Sequence, residues 1–113
     1  MPYDEHMADR MRELIALRTS NVTEKKMFGG LCFLVEDKIC VAAKADKMFL
    51  RIAPELYDEA IEQPGCEPMS RNGINMTGYL YVGYEQLRTY SQLARWVNLA
   101  LDFNPLAKSS KQK

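Results

Sequence analysis

The sequence has a single histidine, a single tryptophan and three cysteines with no CxxC spacing among its 113 residues. Each scarcity removes a class of function. The one histidine lies in the first expected helix, and Cys32 and Cys40 are expected on opposite faces of a hairpin, so the pattern gives no sign of the converging thiolate and imidazole ligands that a zinc-type cluster needs. Formal net charge is also missing: 15 Lys plus Arg face 15 Asp plus Glu. A sequence-independent nucleic-acid binder usually shows a basic excess, so this balance argues against that role. No run of ~18 apolar residues occurs, so no helical membrane span is expected. The N-terminal stretch carries Asp4, Glu5 and Asp9 and has no apolar segment, so it does not read as a secretory signal. An odd number of free thiols beside seven methionines suits a reducing cytoplasm.

What is present is globular. Apolar residues make up 47% and charged residues 27%, and the length suits one domain. A chain of this size buries roughly 65% of its unfolded surface, enough for one core.

Residues 4–18 read as a first helix. Met7, Met11, Leu14, Ile15 and Arg18 form one helical stripe, with Asp4 as N-cap. Strands are expected over 23–28, 31–35, 39–44 and 48–52. The connections between them are short: Gly29-Gly30, Glu36-Asp37-Lys38 and Ala45-Asp46. Connections this short imply antiparallel neighbours. Pro54 opens a second helix with Leu56, Tyr57, Ala60 and Ile61 on its apolar face. Residues 64–68 read as a loop and 69–75 as a weak, irregular strand turning at Asn72-Gly73. A firm strand follows at 79–82, and a last helix runs from Ser91, its expected N-cap, to Phe103. The order α-β-β-β-β-α-β-α gives an α+β class, an antiparallel meander with packed helices. One domain is expected over 1–104, with a flexible Lys-rich tail over 105–113.

The hairpin over 31–44 is apolar on both faces. A two-residue turn at Glu36-Asp37 puts Cys32 and Leu34 with Ile39 and Val41, and Leu31 and Phe33 with Cys40 and Ala42. A sheet covered on one side only reads apolar in, polar out. The second face therefore calls for another helix or a second subunit, and a homodimer is expected.

Candidate chemistry is thin. Cys32 and Cys40 read as core packing; Cys66, placed in a loop, has no neighbouring base to activate it. A small cysteine-dependent enzyme built on Cys66 is thus the weakest of three functional readings. His6 reads as a solvated surface residue. Gly29-Gly30 has neither P-loop nor dinucleotide-fingerprint spacing and suits a turn with positive φ. Lys25 and Lys26 begin a strand; with Lys44, Lys47 and Arg51 they would make a basic strip for an anionic partner, or else pair in structural salt bridges. Tyr79 and Tyr81 share one strand face; aromatics there can stack bases, but no basic flank accompanies them in sequence. Asp9, Glu13, Asp58, Glu59 and Glu62 read as solvated helix faces.

Taken in order, several segments resemble the N-terminal domain of the TfoX/Sxy regulators. They are Val22-Thr23-Glu24-Lys25-Lys26-Met27-Phe28-Gly29-Gly30, Leu31-Cys32-Phe33-Leu34, Phe49-Leu50-Arg51-Ile52, Pro54-Glu55-Leu56-Tyr57, Met76-Thr77-Gly78-Tyr79-Leu80-Tyr81-Val82 and Leu93-Ala94-Arg95-Trp96-Val97. The resemblance implies a secretion-chaperone-like α+β domain, helix first and then a meander. Full-length regulators of this family act in natural competence as coactivators beside the transcription factor CRP, and carry a second, C-terminal domain. This sequence ends after the first, so a stand-alone domain is expected. The resemblance carries no catalytic residue, metal or cofactor. The resulting expectation is a cytoplasmic, non-enzymatic protein-interaction module with a transcription-regulatory role. Lys25, Lys26, Arg51 and Trp96 are its expected partner contacts, the partner being an unidentified protein. Direct nucleic-acid binding is the alternative.

Overall fold

The computed structural model describes residues 3–27 and 29–106. Phe28, the expected end of the first strand, and residues 107–113 of the expected tail lie outside the described residues. The chain runs α1 (Glu5–Ala16), β1 (Val22–Met27), β2 (Gly30–Val35), β3 (Lys38–Ala43), β4 (Lys47–Arg51), α2 (Pro54–Ile61), β5 (Cys66–Arg71), β6 (Ile74–Gly83) and α3 (Tyr90–Phe103). The strands form one antiparallel sheet in the order β1-β2-β3-β4-β6-β5. The α+β class and the helix–meander–helix order are as the sequence implies, with one strand more than expected.

Local chemistry explains the element ends. Asp4 accepts from the backbone N–H groups of His6 (3.0 Å) and Met7 (3.1 Å), capping α1. Pro54 occupies the first turn of α2, where its missing N–H has no cost. Glu36 and Asp37 both adopt positive φ, giving the tight two-residue turn between β2 and β3. Gly29 turns at φ 74° between β1 and β2. The cap of α3 is Thr89, not Ser91. Its hydroxyl accepts from the Gln92 backbone N–H, while the Gln92 side chain accepts from the Thr89 N–H, a reciprocal box two residues upstream of the expected start.

The region 64–75 departs from expectation. Cys66–Arg71 is a strand, with Pro68 inside it, and pairs with β6 around a turn at Asn72-Gly73. Proline is tolerated there because β5 is an edge strand and needs no outward N–H bond.

The three described α-helices pack on one face. α1 lies against α3 and β3, α3 against β3 and β4, and α2 against β5 and β6. The core between them holds Met7, Met11 and Ile15 of α1, Phe33, Val41, Leu50, Leu80 and Val82 of the sheet, and Leu93, Trp96 and Val97 of α3. Arg12 ties α1 to the edge strand through two bonds to Glu24, at 2.5 and 2.8 Å. The buried Asn104 amide donates to the Val35 carbonyl at 3.3 Å, fixing the end of α3 to the sheet. No described helix is long and apolar enough to cross a membrane.

The opposite sheet face is also apolar, as the hairpin pattern implies, but its membership and its cover differ. A bulge between Phe33 and Leu34 shifts the register by one residue, pairing Phe33 with Val41 and Cys32 with Ala42. Val41 therefore joins the helix side, and Ala42 joins Cys32, Leu34 and Phe49 on the other. No described helix covers this second cluster. Its four residues are nonetheless buried within one chain, walled by Met27, Ile39, Met69, Tyr79 and Tyr81. Flanking side chains thus hide these four residues within a single chain, so their burial alone does not call for a second subunit.

Candidate functional site

One row of paired residues crosses the open face from edge to edge: Lys25, Cys32, Ala42, Phe49, Tyr81 and Glu67, each opposite the next on its neighbouring strand. Directly paired residues project to the same side, so the row is a cross-section of the face. Its profile is uneven. Cys32 and Ala42 are short, Phe49 and Tyr81 tall. The result is a trough of about 420 Å³, floored by Cys32, Ala42 and Ile39 and bounded by Phe49, Tyr79, Tyr81, Met69, Ser70, Met76 and Lys44.

The lip carrying Met69, Ser70 and Met76 exists because β5 and β6 lose register. Pro68 pairs with Leu80, but Ser70 pairs with Asn75, so β6 spends more residues than β5 between the two pairs. The surplus strand, including Gly78 at φ 92°, buckles.

Aromatic rings and cations are interleaved along the trough. Phe49 stacks on Tyr79 at 6.0 Å and meets Tyr81 edge-on at 5.8 Å. Lys47 Nζ lies 4.4 Å and Lys44 Nζ 6.0 Å from the Tyr81 centroid. The Arg51 guanidinium sits 5.1 Å from the Tyr79 centroid and 5.8 Å from that of Phe103. The two tyrosines thus have the basic flank their own strand lacks. It comes from β4 and the turn before it, through the β4–β6 pairing.

The expected contact residues do not form one patch. Lys25 pairs with Cys32 and belongs to the open face; Lys26 pairs with Leu31 and belongs to the helix side. Arg51, at the end of β4, is half-buried with its guanidinium near the rings of Tyr79 on the open face and Phe103 on α3, beside the trough and not in its lining. Trp96 is only 2% exposed, packed in the core with the Arg95 guanidinium 4.6 Å from its ring. Its assignment as a partner contact is corrected: the helical stripe of α3 points it at the sheet. The trough residues Cys32, Ala42, Phe49, Met69 and Met76 were not singled out as a site by the sequence, because their meeting depends on register.

Burial disfavours the thiolate form at all three cysteines. Burial pushes the Cys40 thiol up to about 12 and raises those of Cys32 and Cys66; nearby Lys44 and Arg95 only partly offset this at the latter two. Cys66 lies in β5, not in a loop, and is half-buried. His6 is exposed and its ring Nε2 is 3.1 Å from Arg10 Nη2 on the next turn of α1. Among the described residues no group of three His, Cys, Asp or Glu could hold a metal ion.

The model for the TfoX N-terminal domain matches residues 13–104. The chain belongs to the TfoX N-terminal domain family. The span matched as TfoX N-terminal domain opens inside α1 and closes at Asn104, so it contains the whole sheet, α2, α3 and the trough. Comparison with curated proteins and with solved structures gave no match.

Proposed function

We propose that this TfoX N-terminal domain is a non-enzymatic interaction module that docks a partner protein on the open face of its sheet. Its setting is cytoplasmic and regulatory, of the transcription and competence type associated with the family. The observation that carries the reading is the trough. An apolar, aromatic concavity on a face without helices is the kind of surface that associates with another molecule. The raised thiols and an exposed His6 whose ring nitrogen meets Arg10 and no cysteine support the absence of cysteine-dependent catalysis. A capture experiment with three baits tests it. Partners held by the native chain should be lost with Tyr81→Asp, inside the trough, and kept with Lys26→Asp, on the other side of the sheet. Equal capture by all three baits would place docking elsewhere.

Two rivals have their own observations. Phe49, Tyr79 and Tyr81 beside Lys44, Lys47 and Arg51 resemble a stacking platform for single-stranded nucleic acid. Binding to oligonucleotides that weakens steeply with salt would favour that reading. A homodimer through the same face is the other. It is no longer needed to bury Cys32, Leu34, Ala42 and Phe49, which a single chain already hides. Light scattering that gives the monomer mass of 13.0 kDa at micromolar concentration removes it.

A further inference from the structure

We infer that the trough takes an acidic, amphipathic segment of a partner protein, with aliphatic or aromatic side chains in the trough and flanking carboxylates on the cations around it. This rests on the reading of the open face as the docking surface and names the chemistry of what docks there.

Shape asks for an apolar group. The volume of about 420 Å³ falls within the roughly 300–1,000 Å³ of specific ligand clefts. Its floor of Cys32, Ala42 and Ile39 and its lip of Met69 and Met76 offer dispersion contacts and almost no hydrogen bonds. Thioether side chains on the lip adapt to differing apolar shapes.

Charge asks for an acid. Of the charged residues that the strand register and the trough lining put on this face, four are cations: Lys25, Lys44, Lys47 and Arg51. One is an acid, Glu67. The cations occupy different sides: Lys25 on the β1 edge, Lys44 and Lys47 at the β3–β4 turn, Arg51 at the far end of β4. Lys47 already reaches the Glu67 carboxylate at 4.0 Å, which shows that a carboxylate fits at the height of the rim. An incoming chain with acids on both sides of an apolar residue meets opposite charge at the β1 edge, at the β3–β4 turn and at the far end of β4, and like charge only at Glu67 on the β5 edge.

The other occupants fit less well. The same face of a second copy would bring four more cations against these four. Residues after Leu106 add only Lys108, Lys111 and Lys113, which are again basic. The faces of Tyr79 and Tyr81 that a base would stack on already carry Arg51 and Lys47.

The test uses the full chain with ¹³C-methyl methionine and four fluorescein-labelled probes. The first is a twelve-residue peptide interleaving Leu and Phe with Asp and Glu. The second replaces its acids by Lys, the third replaces its Leu and Phe by Ser, and the fourth is a twelve-nucleotide oligothymidylate. Fluorescence anisotropy at about 100 mM salt reads affinity where long-range steering is screened. The acidic amphipathic peptide should bind at least about tenfold tighter than the other three, a difference of ~1.4 kcal/mol. The double variant Lys25→Gln, Lys47→Gln should lose at least about tenfold of it, with an unchanged circular dichroism spectrum. Binding should move the Met69 and Met76 methyl resonances and leave Met7 and Met11, behind the sheet, in place. Equal or tighter binding by the Lys peptide, with the same methyl shifts, sinks the acidic partner but keeps the docking face. Tighter binding by the oligonucleotide with those shifts overturns it for the nucleic-acid reading. If no probe moves Met69 or Met76, both the inference and the docking face fall.

Discussion

Lys47 links three strands through two contacts: its Nζ lies 4.4 Å from the Tyr81 ring centroid on β6 and 4.0 Å from a Glu67 carboxylate oxygen on β5. Both contacts are on the rim, where solvent weakens them. An exposed cation–π contact stabilises by about 0.5–1 kcal/mol. A surface ion pair adds about 0–1 kcal/mol. Lys47→Gln should therefore lower the unfolding free energy by about 1 kcal/mol or less in urea titration, with an unchanged slope. A loss above ~2 kcal/mol would show that the residue holds the sheet together and not merely its rim.

The Arg12–Glu24 pair gives a pH dependence whose sign is fixed. The guanidinium, by hydrogen bonding, holds the Glu24 carboxyl below its ordinary value. A carboxyl with a depressed folded pKa stabilises the fold above its unfolded pKa. That contribution is lost as pH falls through the folded value. The side chains are 45% and 34% exposed, so solvent screening keeps the effect small. Glu24→Gln should cost about 0.5–1 kcal/mol at neutral pH. The gap between variant and native should close in acid, below the ordinary carboxylate range. A gap that persists there would assign the loss to packing of the Arg12 stem over Phe33, 5.9 Å from the guanidinium, and not to charge.

The three thiols should form a ladder of reactivity. Cys66 is half-buried, Cys32 and Cys40 are buried, and Cys40 is the one raised furthest, to about 12. Alkylation at about pH 8 followed by mass spectrometry should label Cys66 first, slower than a free thiol of pKa ~8.5, then Cys32, with Cys40 reacting only on unfolding. A Cys66 that outpaces a free thiol would revive the small-enzyme reading.

Much of the fold can be read residue by residue, because its signals are local. Asp4, Pro54, Glu36-Asp37 and Asn72-Gly73 each mark a boundary through chemistry confined to a few neighbouring residues. The stripes of α1 and α3 likewise declare their buried sides. What stays hidden is pairwise. β5 lacks alternation and contains Pro68, so only its place at the sheet edge makes it a strand. A one-residue bulge in the β2–β3 pair decides that Ala42, not Val41, sits beside Cys32, and without that step the trough has no floor. The cations over Tyr79 and Tyr81 lie some 30 residues away in sequence and become neighbours only through the β4–β6 pairing. Trp96 misleads for the opposite reason: a large aromatic reads equally well as core or contact until the sheet it faces is known.

Gly78 connects that hidden geometry to a measurement. Its φ of 92° lies where side chains are strained, and its carbonyl accepts from the Ile52 N–H at 2.8 Å. An added Cβ would stand 3.1 Å from the Ile52 carbonyl oxygen and 3.9 Å from Pro54 Cγ. Gly73 has a similar φ of 79° but open space around the same position, so it isolates the backbone cost. Gly73→Ala should destabilise by about 1 kcal/mol from strain alone. Gly78→Ala should cost about 1–2 kcal/mol more, because the buckled stretch of β6 must shift away from Ile52. That shift moves the lip, so Gly78→Ala should displace the Met69 and Met76 methyl resonances while Met7 and Met11 keep theirs. Equal costs for the two variants, with the lip resonances unmoved, would mean that the buckle at Gly78 does not set the trough's wall.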